Sequence, residues 1–214
     1  MSQVAFSLEV IEPNQHGEWP ELCRQYYAMR YQVFSKYEGS NELQIECDQV
    51  YDPVATYILA VTPQRQVLAG VRFFPGTTLP QEWVTANRPA EISRMVIPRN
   101  ITDHALRSQL LFLLLQGAIT VAFSEEEEDR VRHDALYCDC VPQFYAQLDA
   151  MFGQALEHPG QPHLVSKPSG EQVLLTPVCL RPEAVDALLA TLLRHCQDRR
   201  ARMRRVRQVE AAVE

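Results

Sequence analysis

The stretch Ala90-Glu91-Ile92-Ser93-Arg94-Met95-Val96-Ile97-Pro98 decides how this chain is read. Its apolar residues describe a buried strand. Within it, Glu91 and Arg94 place an acid and a base three residues apart. Burying charge is costly unless the charge is paired or used. A strand that carries two is a candidate working surface.

Working outward, Thr102-Asp103-His104 follows as an N-cap region that starts a helix. A long helix is expected from about Ala105 to Phe123. Leu110 to Leu115 is unbroken apolar sequence, so this helix is expected to be central and buried on nearly all sides. Upstream, Ala55 to Val61 and Val67 to Phe74 read as two strands joined by a turn at Thr62 to Gln66. Phe6 to Val10 alternates as a strand. Gly17 to Tyr37 reads as helix, with Pro20 tolerated in its first turn. Downstream, Ala135 to Cys140 reads as strand, Val141-Pro142 opens a helix to about Phe152, and His163 to Ser166 is a short strand. Gln172 to Cys179 is a further strand, expected at an edge or a bulge because Pro177 interrupts it. Pro182 onward reads as helix, apolar first and then basic. Two polar loops, Gly39 to Asp52 and Gly76 to Pro89, flank the strands that bear the charges. Loops of that length in a compact domain are often functional. The order predicts an α/β (α+β) three-layer domain with a mixed central sheet flanked by helices. One domain over 1–193 and a basic helical extension over 194–214 are expected.

The chain has 214 residues, 46% hydrophobic and 22% charged, with a net charge of -7. Those are globular values, and the negative balance argues against nucleic acid as a partner. No run of 18 uncharged apolar residues occurs, so no membrane span is expected. The N-terminus has no signal-peptide pattern, and a cytoplasmic protein with its six cysteines as free thiols is expected. Cys138 and Cys140 share one face of their strand, but no second close ligand pair suggests a metal. The histidines form no ligand spacing.

Arg30-Tyr31-Gln32-Val33-Phe34, Glu46-Cys47-Asp48, Gly70-Val71-Arg72 and Glu91-Ile92-Ser93-Arg94 occur in that order, each on its own element. Together they resemble the acyl-homoserine-lactone synthases and the related N-acyl amino acid synthases of the GNAT-like acyltransferase superfamily. The resemblance covers residues 24 to 124. It implies a GNAT-like fold and an enzyme that moves a fatty acyl group from an acyl carrier protein or coenzyme A thioester to an amine. S-adenosylmethionine is the amine of the lactone synthases, and the product class is the quorum-sensing autoinducers. It implies catalytic roles for Glu91, as proton acceptor, and Arg94. It implies substrate-binding roles for Arg30, Phe34, Glu46, Asp48, Asp52 and Arg72. No tightly bound cofactor is implied, and an acidic carrier protein is the expected partner. The chain departs from the lactone synthases in lacking a Trp shortly after Phe34 and in spacing Asp52 four residues from Asp48. An amino acid or peptide amine therefore stays open as acceptor, as does a non-catalytic module that binds acyl chains or carrier protein. The segment Pro98 to Asp103 has no glycine for a pyrophosphate cradle. Arg99, Arg107 and the C-terminal arginines are candidate carrier-protein contacts.

Overall fold

The computed structural model describes residues 5–34, 49–124, 132–166 and 172–186. Seven strands form one mixed sheet. Strands β1 (Ser7–Ile11), β2 (Thr56–Val61), β3 (Val67–Pro75) and β4 (Pro89–Val96) run antiparallel in sequence order. Strand β4 then lies parallel to β5 (Ala135–Cys140). Beyond β5 come β7 (Gln172–Leu180) and, at the edge, β6 (His163–Ser166), both antiparallel to their neighbours. The parallel pair requires a crossover, and helix α2 (His104–Phe123) supplies it. Helix α1 (Pro20–Phe34) covers one face of the sheet; α2 and α3 (Pro142–Phe152) cover the other. This is the expected three-layer arrangement.

The sheet faces follow the strand period of two. Tyr57, Leu59 and Val61 of β2 pack with Leu22, Cys23 and Tyr26 of α1. Ile58 and Ala60 point the other way, into the core with Leu110, Leu114 and Ala118 of α2. Asp103 caps α2, accepting from the Ala105 and Leu106 amides at 2.8 and 3.2 Å.

Two expectations are corrected. Helix α2 is not buried on all sides: Phe112 is 50% exposed and Gln116 is also exposed, so the helix is a one-sided cover. By length and composition α2 also qualifies as a membrane-spanning helix, yet its leucines join the sheet in one core. Strand β7 is interior, not an edge. Pro177 is accommodated because the β6 ladder ends at Leu175, and a lone bridge from Glu157 resumes pairing at Cys179. The missing N–H of Pro177 falls in that interval. The basic extension 194–214, Glu46, Asp48 and the acidic run at 125–129 lie outside the described residues.

Candidate active site

Strands β4 and β5 pair over only three rungs: Pro89 with Ala135, Ala90 with Leu136, and Glu91 with Tyr137. Beyond Glu91 the ladder stops. The cause lies in β4. Arg72 of β3 is opposite Ser93, whereas Gly70, two residues earlier in β3, is opposite Val96, three residues later in β4. One extra residue is accommodated at Arg94, which has φ +52°. Such a bulge bends its strand. The gap between β4 and β5 becomes a cavity of about 250 Å³. Ile92, Ser93, Arg94 and Met95 form one wall, and Cys138 and Asp139 the other. Leu111 and Arg107 of α2, Phe144 and Gln147 of α3, and Phe34 at the end of α1 complete the lining.

The bulge is held from the α1 side. The Tyr26 hydroxyl donates to the Arg94 carbonyl at 2.8 Å. The Tyr26 ring reaches it by lying flat over Gly70, where a Cβ would stand 2.7 Å from the ring. The glycine of Gly70-Val71-Arg72 is thus a close-approach residue. The Arg94 guanidinium sits 5.1 Å above the Phe34 ring, at the mouth of α1.

A polar network lies on the same face. Leu22, Tyr26 and Arg30 recur every four residues along α1 and form its buried stripe. Arg30 is therefore fully buried, which demands a partner. Asp52, at the start of the short 3-10 helix Asp52–Val54, meets that demand: Arg30 Nη1 donates to both of its oxygens, at 2.8 and 3.0 Å. Arg72 Nη1 donates to the same carboxylate at 3.2 Å, and Arg72 Nε to the Ser93 hydroxyl at 3.0 Å. Tyr26 and Tyr27 flank Arg30, and Tyr51 and Phe74 flank Arg72, all within 5.5 Å of ring centroids.

Register places Glu91 opposite Phe74, two residues along from the Arg72–Ser93 pair, so Glu91 shares their face. It is 3% exposed. Its carboxylate accepts from the Thr78 amide at 2.6 Å and from the Thr77 and Thr78 hydroxyls at 2.9 Å. Burial pushes its pKa up; those donors and the Arg72 charge pull part of the way back.

The structure brings together Arg30, Asp52, Arg72, Glu91 and Arg94 around one end of β3 and β4, with Phe34 at the cavity mouth. Of the two charged residues of β4, Arg94 lines the cavity, while Glu91 is held by the Thr77–Thr78 turn outside the lining. The bulge is the reason, since it re-aims every β4 side chain after Ser93.

Sequence reasoning missed Tyr26, Thr77, Thr78 and, above all, Asp139 with His163. Asp139 Oδ2 lies 3.1 Å from His163 Nε2, although the two residues come from β5 and β6. Burial raises the Asp139 pKa, and His163 pulls it partly down. No spacing in the sequence announces a pair formed across β7. The Cys138 and Cys140 sulfurs are 3.4 Å apart, on the shared face expected of them. Burial and the neighbouring Cys140 thiol keep Cys138 protonated. Among the described residues no group of three or more His, Cys, Asp or Glu is placed to hold a metal ion.

No family model matches the chain, and no curated protein does. Solved structures do. The chain is similar to the CoA-dependent acyl-homoserine lactone synthase MesI, at 15% identity and a TM-score of 0.58, over 86% of this chain and 94% of that one. It is similar to TofI, solved in a ternary complex with an inhibitor and MTA, at 16% identity and a TM-score of 0.57, over 85% and 99%. The AHL synthase LasI aligns at 15% identity and a TM-score of 0.54, over 83% and 91%. The fold is GNAT-like, as the sequence resemblance implied.

Proposed function

We propose that this protein is a thioester-dependent N-acyltransferase, most like the enzymes that make acyl-homoserine lactones from S-adenosylmethionine. The observation that carries this reading is the split between β4 and β5, with a cavity lined both by Ser93, Arg94 and Asp139 and by apolar side chains such as Leu111 and Phe144. A strand edge exposed inside a sheet suits an extended ligand with amide groups, such as a pantetheine arm. The apolar lining suits a fatty acyl chain.

Acyl transfer needs a deprotonated amine, a polarised carbonyl and both held in line. Arg94, fixed at the bulge over Phe34, is the proposed group that stabilises charge on the thioester oxygen. The amine is proposed to enter from the α1 face, beside the Arg30–Asp52–Arg72 cluster, with Glu46 and Asp48, outside the described residues, as the proposed acids for a cationic substrate. Glu91, outside the cavity lining, takes the ammonium proton through one water; burial raises its pKa, which makes it a stronger base than a solvated carboxylate. The donor proposed first is an acyl carrier protein. The amides at the start of α2, where a coenzyme pyrophosphate would seek them, already bind the Asp103 carboxylate, which repels phosphate.

The test is free-thiol release from octanoyl carrier protein and octanoyl-CoA, each mixed with S-adenosylmethionine or single amino acids. Mass spectrometry then separates a lactone with methylthioadenosine from a carboxylate-bearing acyl amide. Turnover lost in E91Q and R94A, with folding intact, is the expected result. Tight binding of a non-hydrolysable acyl-pantetheine with no amine turned over defeats the enzyme reading and leaves a binding module.

A further inference from the structure

Aminolysis of a thioester moves a proton as well as an acyl group. A neutral amine attacks through its lone pair, the C–S bond breaks, and the amide nitrogen surrenders one proton while the thiolate gains one. Nitrogen and sulfur are bonded to the same carbon in the tetrahedral intermediate. One carboxylate beside that carbon reaches both.

Asp139 occupies that position. If the β4–β5 ladder continued past Glu91 and Tyr137, Ser93 would oppose Asp139. The ladder opens instead, so these two residues flank the gap, and both line the cavity. Asp139 Oδ1 is buried and has no hydrogen-bond partner among the described residues. A buried carboxylate oxygen without a partner is costly and calls for a ligand that completes it. The other oxygen is fixed by His163, whose ring is braced edge-on by Trp83 at 5.2 Å.

Resting on the acyltransferase reading, we propose that Asp139 is a catalytic residue that carries the proton from the attacking nitrogen to the leaving sulfur, with His163 as its positioning residue. Oδ1 takes the proton from the nitrogen and delivers it to the thiolate. The carboxylate is regenerated, and no proton enters or leaves the site in this step. Glu91 has a different task, removal of the extra proton of the arriving ammonium. Leaving sulfur and attacking nitrogen thus meet on the Asp139 side of the carbonyl, with its oxygen toward Arg94.

The experiment compares two donors: octanoyl-pantetheine, whose alkyl thiolate needs a proton, and the thiophenyl ester of octanoate, whose thiolate leaves without one. The amine is whichever of S-adenosylmethionine or the amino acids the thiol-release screen returns. D139N is expected to lose about 100-fold in kcat on the alkyl thioester and far less on the thiophenyl ester, with KM for the amine unchanged. H163Q, on the short edge strand β6, is expected to give the same pattern with a smaller loss. Equal losses on both esters, or no loss on either, overturn the proposal while leaving the acyltransferase reading intact. If D139N does not fold, H163Q decides by the same criterion. A wild-type protein that acylates no amine removes the acyltransferase reading, and this inference with it.

Discussion

Asp52 is the residue on which the buried charge of the α1 face turns. It answers two guanidiniums, one fully buried. D52N removes the carboxylate that both guanidiniums share, and a loss of about 1.5–3 kcal/mol in unfolding free energy is expected from guanidinium chloride titration. Glu91 gives a second, oppositely signed signal. Its folded pKa is raised above 4.5. In the window just above that value the folded state binds the proton more tightly than the unfolded chain, so stability is highest below it and declines as pH rises through the folded pKa. E91Q abolishes that decline, which urea titrations between pH 4 and pH 8 detect. The sequence made Glu91 and Arg94 conspicuous, because charge on an apolar strand stands out. Asp52 was conspicuous only through the resemblance, since it ends a segment that reads as a polar loop and nothing local predicts its burial. His163 and Asp139 were invisible as a pair, because they meet only after β7 has placed β6 and β5.

At the scale of the element, the bulge in β4 is the decisive device. Every strand of the sheet was legible from its period or its β-branched content, because those patterns answer to local burial. The bulge was not, because an extra residue in one strand exists only relative to its partner's register. Arg94 holds a left-handed conformation that a Cβ disfavours. R94G and R94A both lose the guanidinium and are both expected to be inactive. R94G is expected to be the more stable of the two, by about 1 kcal/mol in thermal or chemical unfolding. The reverse order would mean that the bulge is not under backbone strain. Helix α2 shows the opposite kind of error: a run of leucines suggested a helix buried on all sides, yet Phe112 stays half in water. Composition reports how much apolar surface a helix has, not how much of it the fold covers.

For the molecule as a whole, the antiparallel half of the sheet and the half beyond it are joined at three rungs, and the cavity occupies the space where they part. Leu111 and Phe144 are among its apolar lining residues. L111W narrows the cavity and leaves Ser93, Arg94 and Asp139 unchanged. Donors of eight or more carbons are expected to lose activity and four-carbon donors to retain it, measured by thiol release across a chain-length series. The charged strand Glu91 to Arg94 stood out in the sequence as a working surface; the cavity did not, because it depends on where two strands cease to pair. Arg30 carries one more implication, for how the chain reaches this shape. A buried guanidinium is stabilised by the carboxylate it binds, so the final turn of α1 and the turn at Asp52 are expected to dock together. In native-state amide exchange, residues 28–32 and 52–55 are expected to open together, as one late-forming cooperative unit.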